Sequence, residues 1–283
     1  MLSILNALTL AALYTLLSAG LALIFGLRNV MNFAHGALYM VGAYLGYSVG
    51  QAIGFWPALV IVPVVMAAFG AVLEYGLFRP LAKRSVLEMA LITYGLSLII
   101  GQVIIEVYGG NTRPLNPPAG LGGSASIFGV QYPTYRLLII GIGLGAVFGV
   151  FAWLRWTRIG LFVRAVSRDR DTARMAGIDT RRLGVLVVCL STAFAGVAGV
   201  LAGPYVAVQP GMGDSIIVIS LLIIALGGLG SIGGSIGASA VFAAAATFGA
   251  QYLPDVSALL PYILVIAVLI VRPQGLSGMR QGS

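Results

Sequence analysis

Long apolar stretches alternate with short polar segments along the whole chain. Nine apolar runs lie at about 3–26, 34–52, 57–77, 88–107, 137–154, 183–204, 215–229, 234–252 and 258–271. Because a helix needs about 20 mostly apolar residues to cross a bilayer, the pattern predicts an all-α polytopic bundle with about eight or nine crossings. The shorter runs favour broken or half helices. We expect residues 1–283 to form a single transmembrane domain without a soluble domain.

The composition supports a membrane location. Apolar residues make up 59% of the chain and charged residues 8%, whereas soluble domains carry about 25% charged residues. The net charge of +8 does not indicate a nucleic-acid partner, because the basic residues lie at the ends of apolar runs and no nucleic-acid motif accompanies them. We therefore expect membrane lipid to surround the chain.

The positions of the basic residues predict the orientation. Lys and Arg concentrate in cytoplasmic loops, which places the loop holding Arg79, Lys83 and Arg84 inside and the Gly/Pro/Asn-rich loop at about 108–136 outside. Counting crossings from these loops puts the N-terminus outside and Arg28 inside. The C-terminal segment, with Arg272 and Arg280, is then cytoplasmic.

An arginine-rich island at about 155–182 interrupts the apolar pattern. It holds half of the chain's basic residues: Arg155, Arg158, Arg164, Arg168, Arg170, Arg174, Arg181 and Arg182. Such an island must lie in water, and its charge places it in the cytoplasm. Since no helix breaker precedes Gly177, residues 164–179 predict one short exposed helix that stops at this glycine.

Two breaks in the apolar pattern are candidate parts of a central pathway, since paired breaks are typical of transporters built from repeats. In the first, 28–36, Asn32 would cap a helix that starts near Phe33, with His35 in its first turn and Gly36 next to it. Free amides at this helix start could attract a carboxylate. The alternative is that His35 only hydrogen-bonds backbone.

The second break, at 227–237, is rich in glycine. Gly228, Gly230 and Ser231 are its candidate pathway residues. Two interpretations stay open: a tight helix crossing at small residues, or unwound backbone that lines the pathway.

The sequence offers no evident catalytic or metal chemistry. It has no P-loop, no H-E-x-x-H and no G-x-S-x-G motif, so we expect no enzymatic activity. One histidine and one cysteine, Cys189, exclude a multi-histidine site and an intrachain disulfide. Ion coupling would need charges within the membrane, and Glu74, Glu88 and Glu106 all lie near the ends of predicted spans, where interfacial positions are expected.

Several motifs resemble one family of membrane proteins. Asn32-Phe-Ala-His-Gly36, Gly160-Leu-Phe-Val-Arg164, Gly227-Gly-Leu-Gly230 and Val271-Arg-Pro-Gln-Gly275 occur in the order found in permease subunits of branched-chain amino acid ABC importers. Permeases of ABC importers carry a cytoplasmic E-A-A-x-x-x-G segment that docks on the ATPase. The stretch 171–177 has this spacing, with Asp for Glu and Thr for the first Ala.

The resemblance implies both a location and a set of partners. The chain would sit in the bacterial inner membrane and pair with a homologous second permease or a second copy of itself. Two cytoplasmic ATPase subunits would bind ATP and Mg²⁺, none of which this chain would hold, and an external solute-binding protein would deliver substrate. The implied ATPase-coupling residues are Arg164, Arg168, Asp171, Ala173, Arg174 and Gly177.

Three other functions remain open at this stage. Related permeases carry urea or short amides, and the motifs do not separate these from branched-chain amino acids. An ion-coupled secondary carrier and a passive channel are alternatives of a different class, but neither needs a docking helix.

Overall fold

The computed structural model describes residues 1–127 and 129–277. Its helices are α1 (Leu2–Arg28), α2 (Ala34–Ile53), α3 (Phe55–Leu73), α4 (Val86–Tyr108), α5 (Thr134–Trp156), α6 (Arg158–Arg168), α7 (Arg170–Met175), α8 (Thr180–Val206), α9 (Met212–Gly227), α10 (Ile232–Tyr252) and α11 (Leu260–Val271). A π-helical turn, Glu74–Phe78, continues α3, and a 3₁₀ turn, Pro254–Val256, precedes α11.

The helical bundle predicted from the sequence is confirmed. Each of the nine apolar runs forms a helix, and six are long and apolar enough to cross a membrane: α1, α3 with its π-helical turn, α4, α5, α8 and α10. The 20-residue α2 is not in this group, and α9 and α11 are shorter, with 16 and 12 residues. The predicted number of crossings stays a prediction.

One small element was not expected from the sequence. Within the loop that the sequence predicts to lie outside, at about 108–136, β1 (Ser124–Ile127) and β2 (Val130–Pro133) form an antiparallel hairpin. Its Tyr132 side chain is fully buried against Thr9 and Asn6 of α1, with hydroxyl distances of 2.9 and 3.1 Å. The hairpin therefore covers the start of α1. Because this contact joins segments distant in sequence, no local sequence pattern predicts it.

Helices α1 and α8 form the centre of the bundle. In their most apolar windows 78% and 67% of residues are buried, against 22% in α4 and α5. Helix α1 packs on α5, α8, α9 and α10, while α8 also packs on α2 and α3. The outer helices expose apolar side chains, as expected of surfaces that face lipid.

Glycines bring the central helices into backbone contact. A Cβ at Gly199 of α8 would lie 2.4 Å from the Ala43 nitrogen of α2, and one at Gly36 would lie 2.2 Å from the Gly213 carbonyl oxygen of α9. Neither helix pair could approach this closely with a side chain at these positions. Membrane helices associate by such close packing, because lipid provides no hydrophobic drive between them.

The predicted cytoplasmic segments gather at one end of the bundle. Arg28 at the end of α1 contacts Glu74 after α3 and Gly184 at the start of α8. Gly26 of α1 packs against Gly230, in the turn between α9 and α10. The hairpin and the segment around Arg113, bridged to Val208, lie at the other end. Arg280 lies outside the described residues.

Candidate functional site

The arginine island folds into two short helices rather than one. Helix α6 ends at Arg168 and α7 begins at Arg170, so the prediction of a single helix over 164–179 is wrong. Asp169 causes the break, because its carboxylate accepts hydrogen bonds from the amides of Asp171 and Thr172, each at 3.0 Å. An aspartate that caps a new helix must itself leave helical geometry, with φ −152° and ψ 106° here.

A side chain caps the start of each helix in this region, α6, α7 and α8. Thr157 caps α6 by accepting from the Gly160 amide at 3.1 Å, and Asp179 caps α8 by accepting from the Arg181 and Arg182 amides at 3.0 and 3.1 Å. Between α7 and α8 the chain turns at Gly177, whose φ of 81° suits glycine. The predicted helix stop at this glycine is confirmed.

Hydrogen bonds to the capping carboxylates keep them ionised. The Thr172 hydroxyl and amide lower the pKa of Asp169, and the Arg182 amide is the main cause that lowers the pKa of Asp179. Burial, followed by repulsion from Arg174, lowers the pKa of Arg170. The caps are therefore formed throughout the neutral range.

The predicted coupling residues differ in what they present to the outside. Arg168, Asp171, Arg174 and Gly177 are exposed, and Arg174 reaches the Thr180 hydroxyl at 3.2 Å. Arg164 is exposed overall, but its guanidinium group donates a hydrogen bond to the Leu154 carbonyl near the end of α5.

Ala173 is buried, with 5% of its surface exposed, so its small side chain serves packing within the chain and is not offered to a partner. The exposed apolar residue of α7 is instead Met175, at 81%. Sequence reasoning missed Met175, although a methionine in a polar island is itself a signal.

At the first break, α2 begins at Ala34, one residue later than predicted. The Asn32 side chain accepts from the Ala34 amide at 3.1 Å, the Asn32 carbonyl accepts from the His35 amide at 3.2 Å, and the Thr93 hydroxyl accepts from the Phe33 amide at 3.1 Å. The expectation of free amides that attract a carboxylate is therefore wrong. Asn32, just before the helix, accepts from two of these amides, and Thr93 of α4 accepts from the third.

Asn32 and His35 are buried within the chain, at 0% and 1% exposure. The His35 Nε2 lies 3.0 Å from the Leu17 carbonyl oxygen of α1, as the alternative interpretation anticipates. Its ring fits against Gly20, where a Cβ would lie 3.1 Å from the ring carbon Cε1. His35 thus fixes α2 to α1 at a place where only glycine leaves room for an imidazole.

The second break is a tight turn between α9 and α10. Gly228 and Gly230 have φ of 99° and 81°, and the Ser231 hydroxyl caps α10 by accepting from the Gly234 amide at 3.0 Å. The C-terminal segment covers this turn, since the Leu276 amide donates to the Leu226 carbonyl at 2.7 Å. The close-packing interpretation matches this geometry.

The three carboxylates considered for ion coupling have separate structural roles. Glu74 is fully buried and paired with Arg28, whose side chain is 5% exposed. Glu74 lies near the end of its apolar run, as expected, but its burial against Arg28 was not predicted from the sequence. Glu88 completes a capping box with Ser85 at the start of α4, and Glu106 is exposed and accepts from Gln102 at 2.9 Å.

A cleft that sequence reasoning missed lies between α2, α4 and α9. Its volume is about 340 Å³, and its lining is mostly apolar, including Met40, Leu98 and Ile105. Gln102 and Asp214 add polar groups. The isolated glutamine in the apolar run of α4 is a signal that could have pointed to this cleft. Asn32, His35 and Gly36 are not among its lining residues, although Ala37 is.

The described residues contain no group of three or more His, Cys, Asp or Glu side chains that could hold a metal ion. What the arrangement offers is a capped polar element at one end and an aliphatic cleft within the bundle.

Comparison with known proteins places these features in a family context. A family model described as "Branched-chain amino acid transport system / permease component" matches residues 3–269. The chain is 27% identical to the high-affinity branched-chain amino acid transport system permease protein LivH of Escherichia coli K12, over 96% of this chain and 94% of LivH. It is also 27% identical to LivM of the same bacterium, over 96% of this chain and 69% of LivM.

A solved structure shares the fold. The chain superposes on one chain of PsaBC from Streptococcus pneumoniae in complex with Fab, with a TM-score of 0.53 and 16% identity, covering 95% of this chain and 91% of the other. At this identity the likeness concerns the fold alone.

Proposed function

Because this chain belongs to the branched-chain amino acid transport permease family, we propose that it forms part of the translocation pathway of an ATP-driven importer for branched-chain amino acids. The family match over residues 3–269 carries the proposal. The chain is a multi-pass membrane protein with a transport role. ATP and Mg²⁺ belong to partner ATPase subunits, and a solute-binding protein delivers substrate from outside.

A homologous second permease completes the pathway. Escherichia coli has both LivH and LivM, and this chain is 27% identical to each. Two related permeases that share one ancestor can face each other across a common pathway. The cleft between α2, α4 and α9 is our candidate for this chain's share, because its aliphatic lining suits an aliphatic side chain.

Helix α7 is the element that we propose to dock on the ATPase. It lies at the end of the bundle that holds the basic segments, its caps are formed at neutral pH, and it exposes Met175. A rigid, capped helix transmits motion of a docked subunit to α8, to which it is joined by Gly177 and Asp179. Arg168 and Arg174 flank the contact and can pair with acidic groups of the ATPase, whereas Asp171 can pair only with a basic group.

The test is uptake by proteoliposomes that contain the complete complex, with labelled leucine, urea and alanine in parallel. We expect leucine to accumulate only with ATP and the binding protein present. Accumulation of urea or alanine instead would retain the mechanism and change the substrate. Flux without ATP would contradict the proposal and favour a carrier or channel.

A matched pair of variants assigns the docking role. Met175→Asp should abolish ATP-driven uptake and binding of the ATPase, while Trp156→Asp, at another exposed apolar residue with 79% exposure, should not release the ATPase. Equal loss of binding in both variants would contradict a specific role for α7.

A further inference from the structure

A second cavity, of about 190 Å³, lies at the end of the bundle that carries the basic segments. Three arginines from three separate elements line it: Arg28 at the end of α1, Arg84 before α4 and Arg170 at the start of α7. Apart from Asn29, the remaining lining is apolar. We call this cavity the arginine pocket.

The positive charge of the arginine pocket is only partly balanced. Glu74 pairs with Arg28, and Glu88 lies 3.3 Å from Arg84 with both side chains about half exposed. Among the described residues no carboxylate lies within ion-pair distance of Arg170, although its neighbour Asp171 attracts it at longer range. Arg170 in turn repels Arg28. The pocket therefore keeps a net positive charge.

Two buried donors of the arginine pocket remain unused. The Nε atoms of Arg28 and Arg170 are both buried, and neither has a hydrogen-bond partner in the described part of the chain. The Arg28 side chain is only 5% exposed. A buried N–H without an acceptor costs free energy, so an anion that accepts from these guanidinium groups would stabilise the site.

The apolar surface next to the pocket indicates which kind of anion fits. Val86 lines the pocket, and the adjoining face of α4 exposes Leu87 at 71% and Leu91 at 63%. A small soluble anion would leave this face unused. A phospholipid fills both parts, because its phosphate can enter a basic pocket at the cytoplasmic side while its acyl chains lie along apolar helices.

We propose that the arginine pocket binds the phosphate of an anionic phospholipid from the cytoplasmic leaflet, with the acyl chains along α4. Arg170 is the first residue of α7, directly after its cap Asp169. The lipid therefore joins the start of α7 to the C-terminal end of α1 and to the segment before α4. Its headgroup positions the coupling helix at the membrane surface, whichever solute the protein carries.

Native mass spectrometry of the purified full-length protein tests this binding. The protein is mixed with phosphatidylglycerol or with phosphatidylcholine of the same acyl chains, and retained lipid is measured. We expect selective retention of phosphatidylglycerol. In Arg170→Gln this retention should weaken about fivefold, the effect of one basic residue on an anionic lipid, while Arg168→Gln, an exposed arginine outside the pocket, should bind like the parent.

A variant that is expected to strengthen lipid retention separates a specific effect from misfolding, which could only weaken it. Glu88→Gln frees Arg84 from its partner but keeps a residue type that completes the capping box with Ser85. We expect it to retain phosphatidylglycerol more strongly. Unchanged or weaker retention would count against the pocket.

Three outcomes would overturn the proposal. Equal retention of phosphatidylcholine would show a nonspecific apolar contact. Equal weakening in Arg168→Gln and Arg170→Gln would show a general charge effect. A third outcome is release of phosphatidylglycerol by excess inorganic phosphate but not by sodium chloride at equal ionic strength. This result would assign the pocket to a soluble phosphate instead. None of these outcomes depends on transport, so they leave the proposed function untouched.

Discussion

At the scale of single residues, the Arg28–Glu74 pair decides how three helices meet. The two side chains are buried where α1, the π-helical turn after α3 and the start of α8 converge. A buried pair contributes little compared with an apolar contact, but breaking it by removing one partner leaves a buried charge uncompensated. The pair therefore determines which helix ends lie next to each other, because any other arrangement would leave a buried charge unpaired.

We expect Glu74→Gln to destabilise the protein by about 3–5 kcal/mol, because Arg28 then stays buried without a counter-charge. Thermal unfolding in detergent measures the change. The double variant Arg28→Met with Glu74→Leu should recover most of the loss. A single variant as stable as the parent would show that water reaches Arg28.

Glycines are the other residues with sharply defined roles. Gly199→Ala should destabilise the contact between α2 and α8 by about 1–3 kcal/mol, the usual cost of overpacking, because its Cβ would meet backbone at 2.4 Å. Gly145→Ala in α5 is the matched control, since no atom lies within 4 Å of its added Cβ. The control should be neutral or slightly stabilising. Equal melting temperatures for the two variants would contradict close packing at Gly199.

At the scale of elements, the break between α6 and α7 shows what local sequence can and cannot tell. The helix stop at Gly177 could be predicted because only glycine readily takes the positive φ that ends the helix. The break at Asp169 could not, because aspartate is tolerated within helices and caps them only when the chain turns there. The turn itself depends on packing of α7 against α6 and α8.

Asp169→Ala removes the cap of α7 and should weaken its coupling to the ATPase. We expect ATP-driven uptake to fall to less than half, with unchanged amounts of protein in the membrane. Asp169→Asn keeps an acceptor for the Asp171 and Thr172 amides and should retain most activity. Uptake in proteoliposomes checks both variants. Similar loss in both would assign Asp169 a role that depends on its charge rather than on capping.

The pH dependence of this cap has a definite sign. The hydrogen bonds lower the pKa of Asp169 in the folded state, so its contribution is complete above the ordinary aspartate value of about 3.9 and is lost as pH falls through the lowered pKa. Titration of Asp169 should therefore not alter docking of the ATPase between pH 6 and pH 8, because this window lies far above about 3.9. Protonation of this cap in that window, seen by NMR or infrared titration, would contradict the hydrogen-bonded geometry.

At the scale of the whole molecule, the sequence predicted the helices well and the functional contacts poorly. Long apolar runs locate helices because a segment that crosses a bilayer must satisfy its backbone internally, and a continuous run of about 20 apolar residues does so as a helix. The bond from the Phe33 amide to Thr93, the contact of the His35 ring with the Leu17 carbonyl and the cleft around Gln102 depend on groups from helices distant in sequence. Periodicity within one segment contains no information about such partners.

Orientation is a property of the whole molecule and can be tested by labelling. In a Cys189→Ser background, Gly122→Cys in the outer loop should react with an impermeant maleimide added to intact spheroplasts. Met175→Cys on α7 should react only in inverted vesicles. The reverse pattern would mean that the basic end of the bundle faces outward, against the positive-inside rule.

The covered turn between α9 and α10 has a consequence for biogenesis. Gly275, Leu276 and Ser277 contact the turn through the backbone of Leu226 and Gly227, yet they are translated only after all eleven helices. The turn therefore stays open while α9 and α10 enter the membrane, and it closes only after residues 275–277 have left the ribosome. Insertion of these helices and closure of the turn are separate events in time, and a partner subunit that recognises the closed turn binds only after the second.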